Sequence, residues 1–230
     1  MSRVAVTTTG DRAARLADVA RRHGLEPVAL PCIAIVPAAP EELNRARSRA
    51  THAELILVTS SRAVSTVWPE GGMPKVPCVV VGPVSAEAVD GAGGRVVATG
   101  SGGVVAMIEE VADLLAGKSV FFPHAAGADP STVETLEGLG AKVSAFVVYE
   151  THPISPGTDQ VDAGIFGSPS AVSGWCRSRT LDELVLAALG DTTAAELTGR
   201  GYRPQVITSP PDYDTLIPLL AEYLHERSFA

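Results

Sequence analysis

The feature that most constrains this chain is that it repeats itself. LILVTSSRAVS at residues 55–65 resembles AGIFGSPSAVS at 163–173, with Ser60 matched to Ser168, an offset of 108. VVVGPVSAEAV and LAALGDTTAAEL follow at the same offset, Gly82 with Gly190 and Ser85 with Thr193. A longer stretch, RVAVTTTGDRAARLADVARRHGLEPVALPCI, pairs with SVFFPHAAGADPSTVETLEGLGAKVSAFVVY at an offset of 116, Val4 with Val120 and Gly24 with Gly140. Two motifs sharing one spacing argue for a single supersecondary plan built twice. One copy runs from Val4 to about Gly117 and the other from Lys118 to the end.

Each copy alternates short apolar runs (VAVTT, LILVT, CVVVG, RVVATG) with helix-period stretches (residues 11–23, SRAVSTVW, SAEAVDGAG, VVAMIEEVADLLAG). Repeated βα units predict parallel sheets with helices on both faces, an α/β class. In the last helix Val104, Ile108, Val111 and Leu115 share one face, and Ser101 stands ahead of them as an N-cap. EPVALPCIAIV reads as a single apolar run. Two extended, Pro-punctuated segments, 31–40 and 150–156, read as crossovers, because Pro fixes φ and cannot donate to a ladder. They predict a discontinuous domain of residues 1–36 plus 155–230 and a second of 38–150.

With 230 residues the chain has enough surface to bury for two domains of this size. A formal charge of −8 with scattered Lys and Arg leaves no basic stripe for nucleic acid and no polybasic membrane anchor. No segment approaches the ~20 apolar residues that span a bilayer. MSRVAVTTTGDR enters a strand without a signal-peptide pattern, so the expected compartment is the cytoplasm. Cys32, Cys78 and Cys176 are isolated, and the five His show no ligand spacing, so neither a disulfide framework nor a metal is expected.

Five motifs in order carry a family resemblance: LILVTSSRAV, VVVGPVSAEAV, GAKVSAFVVYETHP, FGSPSAV and ALGDTTAAEL. With them the chain resembles the uroporphyrinogen-III synthases over nearly its whole length. The resemblance implies two flavodoxin-like parallel-sheet domains from an internal duplication, joined by a two-stranded linker, with the active site in the cleft between them. It implies hydroxymethylbilane, a linear tetrapyrrole, as substrate, closed with loss of water and inversion of ring D, without cofactor or metal. It leaves open a transient contact with the upstream deaminase. The chain departs from the family pattern at Thr8, at His124 in a loop that commonly carries Arg, and at Asp191, where Pro is usual. These departures keep a non-catalytic tetrapyrrole-binding or regulatory homologue as the alternative.

A substrate with eight carboxylates on an acidic protein calls for backbone and hydroxyl donors, which helix N-termini supply. Ser60, Ser61, Ser85, Ser101, Ser168, Thr192 and Thr193 fall at predicted strand-to-helix turns, each also readable as an ordinary N-cap. Thr8 and Gly82 join them as substrate-binding candidates, with His124 as a partial positive charge. The resemblance favours Ser85 and Thr193 as a matched pair. It also gives Tyr149 as the group assisting departure of the hydroxyl, the other reading being a tyrosine whose OH is bonded locally. Trp68 and Trp175 read as helix-packing anchors, and GAGG at 91–94 as a turn after a helix rather than a dinucleotide loop.

Overall fold

The structure is a computed structural model that describes residues 1–100, 103–209 and 211–227. From the N-terminus the elements are β1 (Arg3–Val6), α1 (Asp11–Arg22), β2 (Glu26–Ala29), β3 (Ile33–Pro37), α2 (Pro40–Ala50), β4 (Leu55–Val58) and α3 (Ser61–Val67). There follow β5 (Pro77–Val81), α4 (Pro83–Gly91), β6 (Arg95–Gly100), α5 (Val104–Glu110), α6 (Ala112–Leu115), β7 (Ser119–Ala125) and α7 (Ser131–Gly138). The chain ends with β8 (Lys142–Pro153), β9 (Ala163–Phe166), α8 (Pro169–Trp175), β10 (Val185–Leu189), α9 (Asp191–Gly199), β11 (Val206–Thr208) and α10 (Tyr213–Arg227). Two compact units divide these elements: unit 1 is Met1–Ile35 with Thr151–Ala230, and unit 2 is Val36–Glu150.

Unit 1 holds a parallel sheet in the order β2-β1-β9-β10-β11. Counted along the chain this is 2-1-3-4-5, the flavodoxin-like doubly wound order, with its switch point between β1 and β9. Residues alternate between the two faces at the strand period of two. Val4, Val6, Ile165, Val185 and Ala187 pack under α1 and α10, which contribute Leu16, Val19, Ala20, Leu216, Ile217 and Leu220 at helical spacing. Ala5, Phe166, Leu186 and Ala188 point the other way, against Val172, Trp175 and Leu197 of α8 and α9. Trp175 is fully buried, edge-on to Phe166 with centroids 5.8 Å apart, and its indole N–H donates to Thr180 O at 2.8 Å.

Unit 2 carries β3-β8-β7-β4-β5-β6. Its five parallel strands repeat the unit 1 order if β7 and β8 stand for β1 and β2, and β4, β5 and β6 for β9, β10 and β11. The two sequence offsets follow from this wiring: unit 2 runs through its strands without interruption, whereas unit 1 is left after β2 and re-entered at β9. Leu55, Leu57, Val79, Val120 and Phe122 pack on α5, α6 and α7 through Met107, Ile108, Leu115 and Leu136. On the opposite face Trp68, at the end of α3, meets Phe121 edge-on at 6.4 Å.

The equivalence extends to single hydrogen bonds. At the amino end of the central pair in unit 2, Glu54 N donates to Ser119 O at 2.9 Å and Ser119 N to the Glu54 carboxylate at 2.8 Å. In unit 1, Asp162 N donates to Arg3 O at 2.8 Å and Arg3 N to the Asp162 carboxylate at 2.7 Å. At the other end Gly82 N donates to Gly100 O and Gly190 N to Thr208 O, each at 3.0 Å. Both glycines have positive φ, 72° and 82°, a region costly for residues with a Cβ.

The structure departs from the sequence expectations in three places. EPVALPCIAIV is two strands of two sheets, because Leu30 to Cys32 carry the chain out of the β2 edge before β3 begins. The extended segment expected as far as Pro40 stops at β3, and Pro40 instead opens α2 at its first helical position, where its missing N–H costs nothing. The single helix expected through Leu115 breaks at Val111, whose φ and ψ of −115° and 22° are not helical. Its apolar face survives the break, since Ile108 and Leu115 remain buried in one cluster with Val104 and Val111 against it.

Candidate functional site

In doubly wound sheets ligands bind outside the carboxyl ends of the strands, at the switch point, because the flanking loops part there and helix N-termini point outwards. In unit 2 the switch lies between β4 and β7, so Ser60, Ser61 and His124 flank it. In unit 1 it lies between β1 and β9, flanked by Thr8 and Ser168.

Ser60 is the N-cap of α3, in extended backbone at φ −150°, and its Oγ accepts from Arg62 N at 3.2 Å. The same Oγ lies 3.2 Å from the phenol oxygen of Tyr149. Tyr149 is 6% exposed on β8, beyond the register shift between His124 and Ala125, and its carbonyl accepts from Ala126 N at 2.9 Å. Its hydroxyl is therefore bonded across the sheet to a residue 89 positions away, rather than locally.

His124 is half-buried at the end of β7, stacked on Phe122 with centroids 4.8 Å apart. Its Nδ1 lies 2.9 Å from Ala125 O. A carbonyl oxygen only accepts, so Nδ1 holds the proton, and Nε2 becomes a donor only when the ring is cationic.

Four of the hydroxyl residues are not N-caps, which corrects that reading. Ser61 is the first residue of α3, with Ser60 as the cap. Ser85 lies at the third position of α4, 5% exposed, and Gly82 is the cap ahead of Pro83. Thr192 and Thr193 are the second and third residues of α9 behind the cap Gly190; Thr192 is exposed and Thr193 is 1% exposed. The reason is common to α4 and α9: a positive-φ glycine turns the chain so that the helix begins three residues earlier than a cap at Ser85 or Thr193 would allow. Ser168 does cap α8, accepting from Ala171 N at 3.3 Å. Thr8 is buried after β1, and Ser101 lies outside the described residues.

The Thr193 hydroxyl is buried with no hydrogen-bond partner among the described residues. A buried donor left unpaired costs about 1–3 kcal/mol, so the fold carries this hydroxyl at a cost. Beside it Asp191 accepts from Ser209 Oγ at 2.8 Å.

Sequence reasoning missed Ser209 and Tyr213. A Cβ on Gly167 would collide with the Tyr213 hydroxyl, so that glycine, which stands where the matched segment has Thr59, leaves room for the first side chain of α10. The Gly-for-Thr difference between the copies was the available signal.

Two of the three cysteines offer no nucleophile: burial pushes the Cys32 thiol up to about 12 and that of Cys78 upward as well, away from thiolate. Among the described residues no three His, Cys, Asp or Glu side chains cluster as metal ligands, and no helix is long and apolar enough to cross a membrane.

The two sheets and their crossover helices define a two-unit, doubly wound α/β protein. Within that class the chain belongs to the uroporphyrinogen-III synthase family: residues 14–218 match the family described as Uroporphyrinogen-III synthase HemD. Solved structures agree on the fold. The uroporphyrinogen-III synthetase of Helicobacter pylori is 19% identical with a TM-score of 0.66, over 97% of this chain and 100% of that one. A mutant uroporphyrinogen III synthase of the extremely thermophilic bacterium Thermus thermophilus is 18% identical with a TM-score of 0.61, over 98% of this chain and 100% of that one. No curated protein matches the chain by sequence.

Proposed function

We propose that the protein is a uroporphyrinogen-III synthase, closing hydroxymethylbilane to uroporphyrinogen III with loss of water and inversion of ring D. The family match across residues 14–218 carries the reading. The chemistry of the two carboxyl edges supports it. The N-termini of α4 and α9 present amides and positive dipole ends to carboxylates, which offsets a net charge of −8 that would otherwise repel a polyanion. Thr8, Ser61, Gly82, Ser85, Ser168, Thr192 and Thr193 are the proposed substrate contacts, with His124 supplying partial positive charge. Tyr149 donates the proton that lets the terminal hydroxyl leave as water. Because the departing group lies on an electron-rich pyrrole, most of the acceleration comes from holding the bilane folded so that the right carbon is attacked.

The test is to feed purified protein the product of the upstream deaminase and resolve the oxidised porphyrin isomers. Isomer III is the expected product. Isomer I alone, which the bilane gives spontaneously, would leave a tetrapyrrole-binding homologue instead.

A further inference from the structure

We infer that Ser60 is a positioning residue for Tyr149, turning the phenol proton away from itself and towards the group to be protonated. The inference rests on the synthase reading above. It replaces the expectation that Ser60 binds substrate directly.

A serine hydroxyl has two lone pairs and one proton. One lone pair of Ser60 Oγ is taken by Arg62 N–H, which can only donate, at 3.2 Å. Tyr149 Oη is at the same distance, and no other partner of Ser60 Oγ occurs among the described residues. Either hydroxyl can donate, and the proposed reaction decides between them: a phenol that gives its proton to the leaving group can only accept from Ser60, whose own proton is committed to no other group among the described residues.

The second bond is not a by-product of capping. Ser168, the matched residue 108 positions on, caps α8 in the same extended conformation by accepting from Ala171 N, with no hydroxyl partner among the described residues. Capping therefore needs no phenol, and the Ser60 contact is additional.

The consequence for the reaction is a matter of charge. The phenol proton passes to the leaving hydroxyl, the carbon–oxygen bond breaks with its pair going to oxygen, and water departs. Positive charge on the carbon spreads into the pyrrole. The phenolate left behind takes back the proton released when the ring closes. Ser60 donates to an oxygen that gains negative charge along this path, so its hydrogen bond is stronger in the transition state than before it. The effect falls on kcat rather than KM.

Five proteins test this: wild type, Ser60→Gly, Ser60→Thr, Tyr149→Phe and the double variant Ser60→Gly with Tyr149→Phe. Glycine is accepted at an N-cap, so Ser60→Gly removes the hydroxyl while keeping the helix start. Ser60→Gly is expected to lower kcat for isomer III about tenfold, with KM changed less than about twofold, and Ser60→Thr to recover most of the loss. In the Tyr149→Phe background the same substitution is expected to cost nothing further. An equal loss in both backgrounds would overturn the inference, since independent sites add.

A second readout needs no turnover. The Raman Fermi doublet of the phenol ring that disappears in Tyr149→Phe reports whether that hydroxyl accepts or donates, and its ratio is expected to move towards the donating side in Ser60→Gly, because the phenol loses the bond it accepts. An unchanged ratio would refute the contact even if the chain made only isomer I, an outcome that by itself counts against the synthase reading alone.

Discussion

At the scale of single residues, Thr193 allows stability and the proposed substrate contact to be tested together. Its buried hydroxyl has no partner among the described residues, so replacing it with the equally shaped Val should not destabilise the fold. Thr193→Val is expected to hold or raise the unfolding free energy, by up to about 1 kcal/mol, while slowing isomer III formation. Thermal unfolding beside the isomer assay checks both; a stability loss above about 1 kcal/mol would mean the hydroxyl is bonded in the fold. Trp175 is the opposite case. Fully buried against Phe166, with the Arg179 guanidinium 4.3 Å from its ring centroid, it anchors α8. Trp175→Ala should cost about 3–5 kcal/mol in urea unfolding, and a loss under about 1 kcal/mol would refute the anchoring role. That tryptophan was legible in the sequence, since a large apolar residue has few places to go. The hydroxyls were legible as residues near strand ends but not as positions in a helix. Whether a serine caps or lies a turn inside depends on a glycine's φ, which composition does not reveal.

At the scale of elements, the carboxylate clasps define the register of each sheet's central pair. Glu54 receives Ser119 N at 2.8 Å and Lys118 Nζ at 3.0 Å, and Asp162 receives Arg3 N at 2.7 Å. The Ser119 amide first, and then Lys118, hold the Glu54 carboxyl below its ordinary range. A depressed carboxylate stabilises the fold above its unfolded pKa, and that contribution disappears as pH falls through the folded value. The stability gap between wild type and Glu54→Gln should therefore be present at neutral pH and close below about pH 4, followed by urea unfolding across the range. A gap that widens on acidification would contradict the assignment. These clasps escaped the sequence reading, because a single acidic residue before an apolar run carries no periodic signal. So did α2, although Pro40, Glu41 and Glu42 at its start and Arg47 and Arg49 at its end match the helix dipole. The break at Val111 was invisible for another reason: the pattern records which face is buried, and that face is kept through the kink.

At the scale of the whole molecule, the repeat supplied most of what could be foreseen. Two offsets, 108 and 116, reflect two sheets with the same spatial order and different wiring, so the α/β class and the carboxyl edges followed from the pattern. The contact between Ser60 and Tyr149 did not, because no local rule links residues 89 apart. The proposed function places tetrapyrrole binding at the carboxyl ends of the strands rather than at their amino ends. The most direct measurement is the amide spectrum of the labelled protein titrated with uroporphyrinogen III under anaerobic conditions. The amides of Gly82, Ser85, Gly190 and Thr193 are expected to shift, while those of Glu54 and Asp162 at the opposite ends of the strands stay put. Shifts confined to Glu54, Asp162 and their neighbours would contradict it.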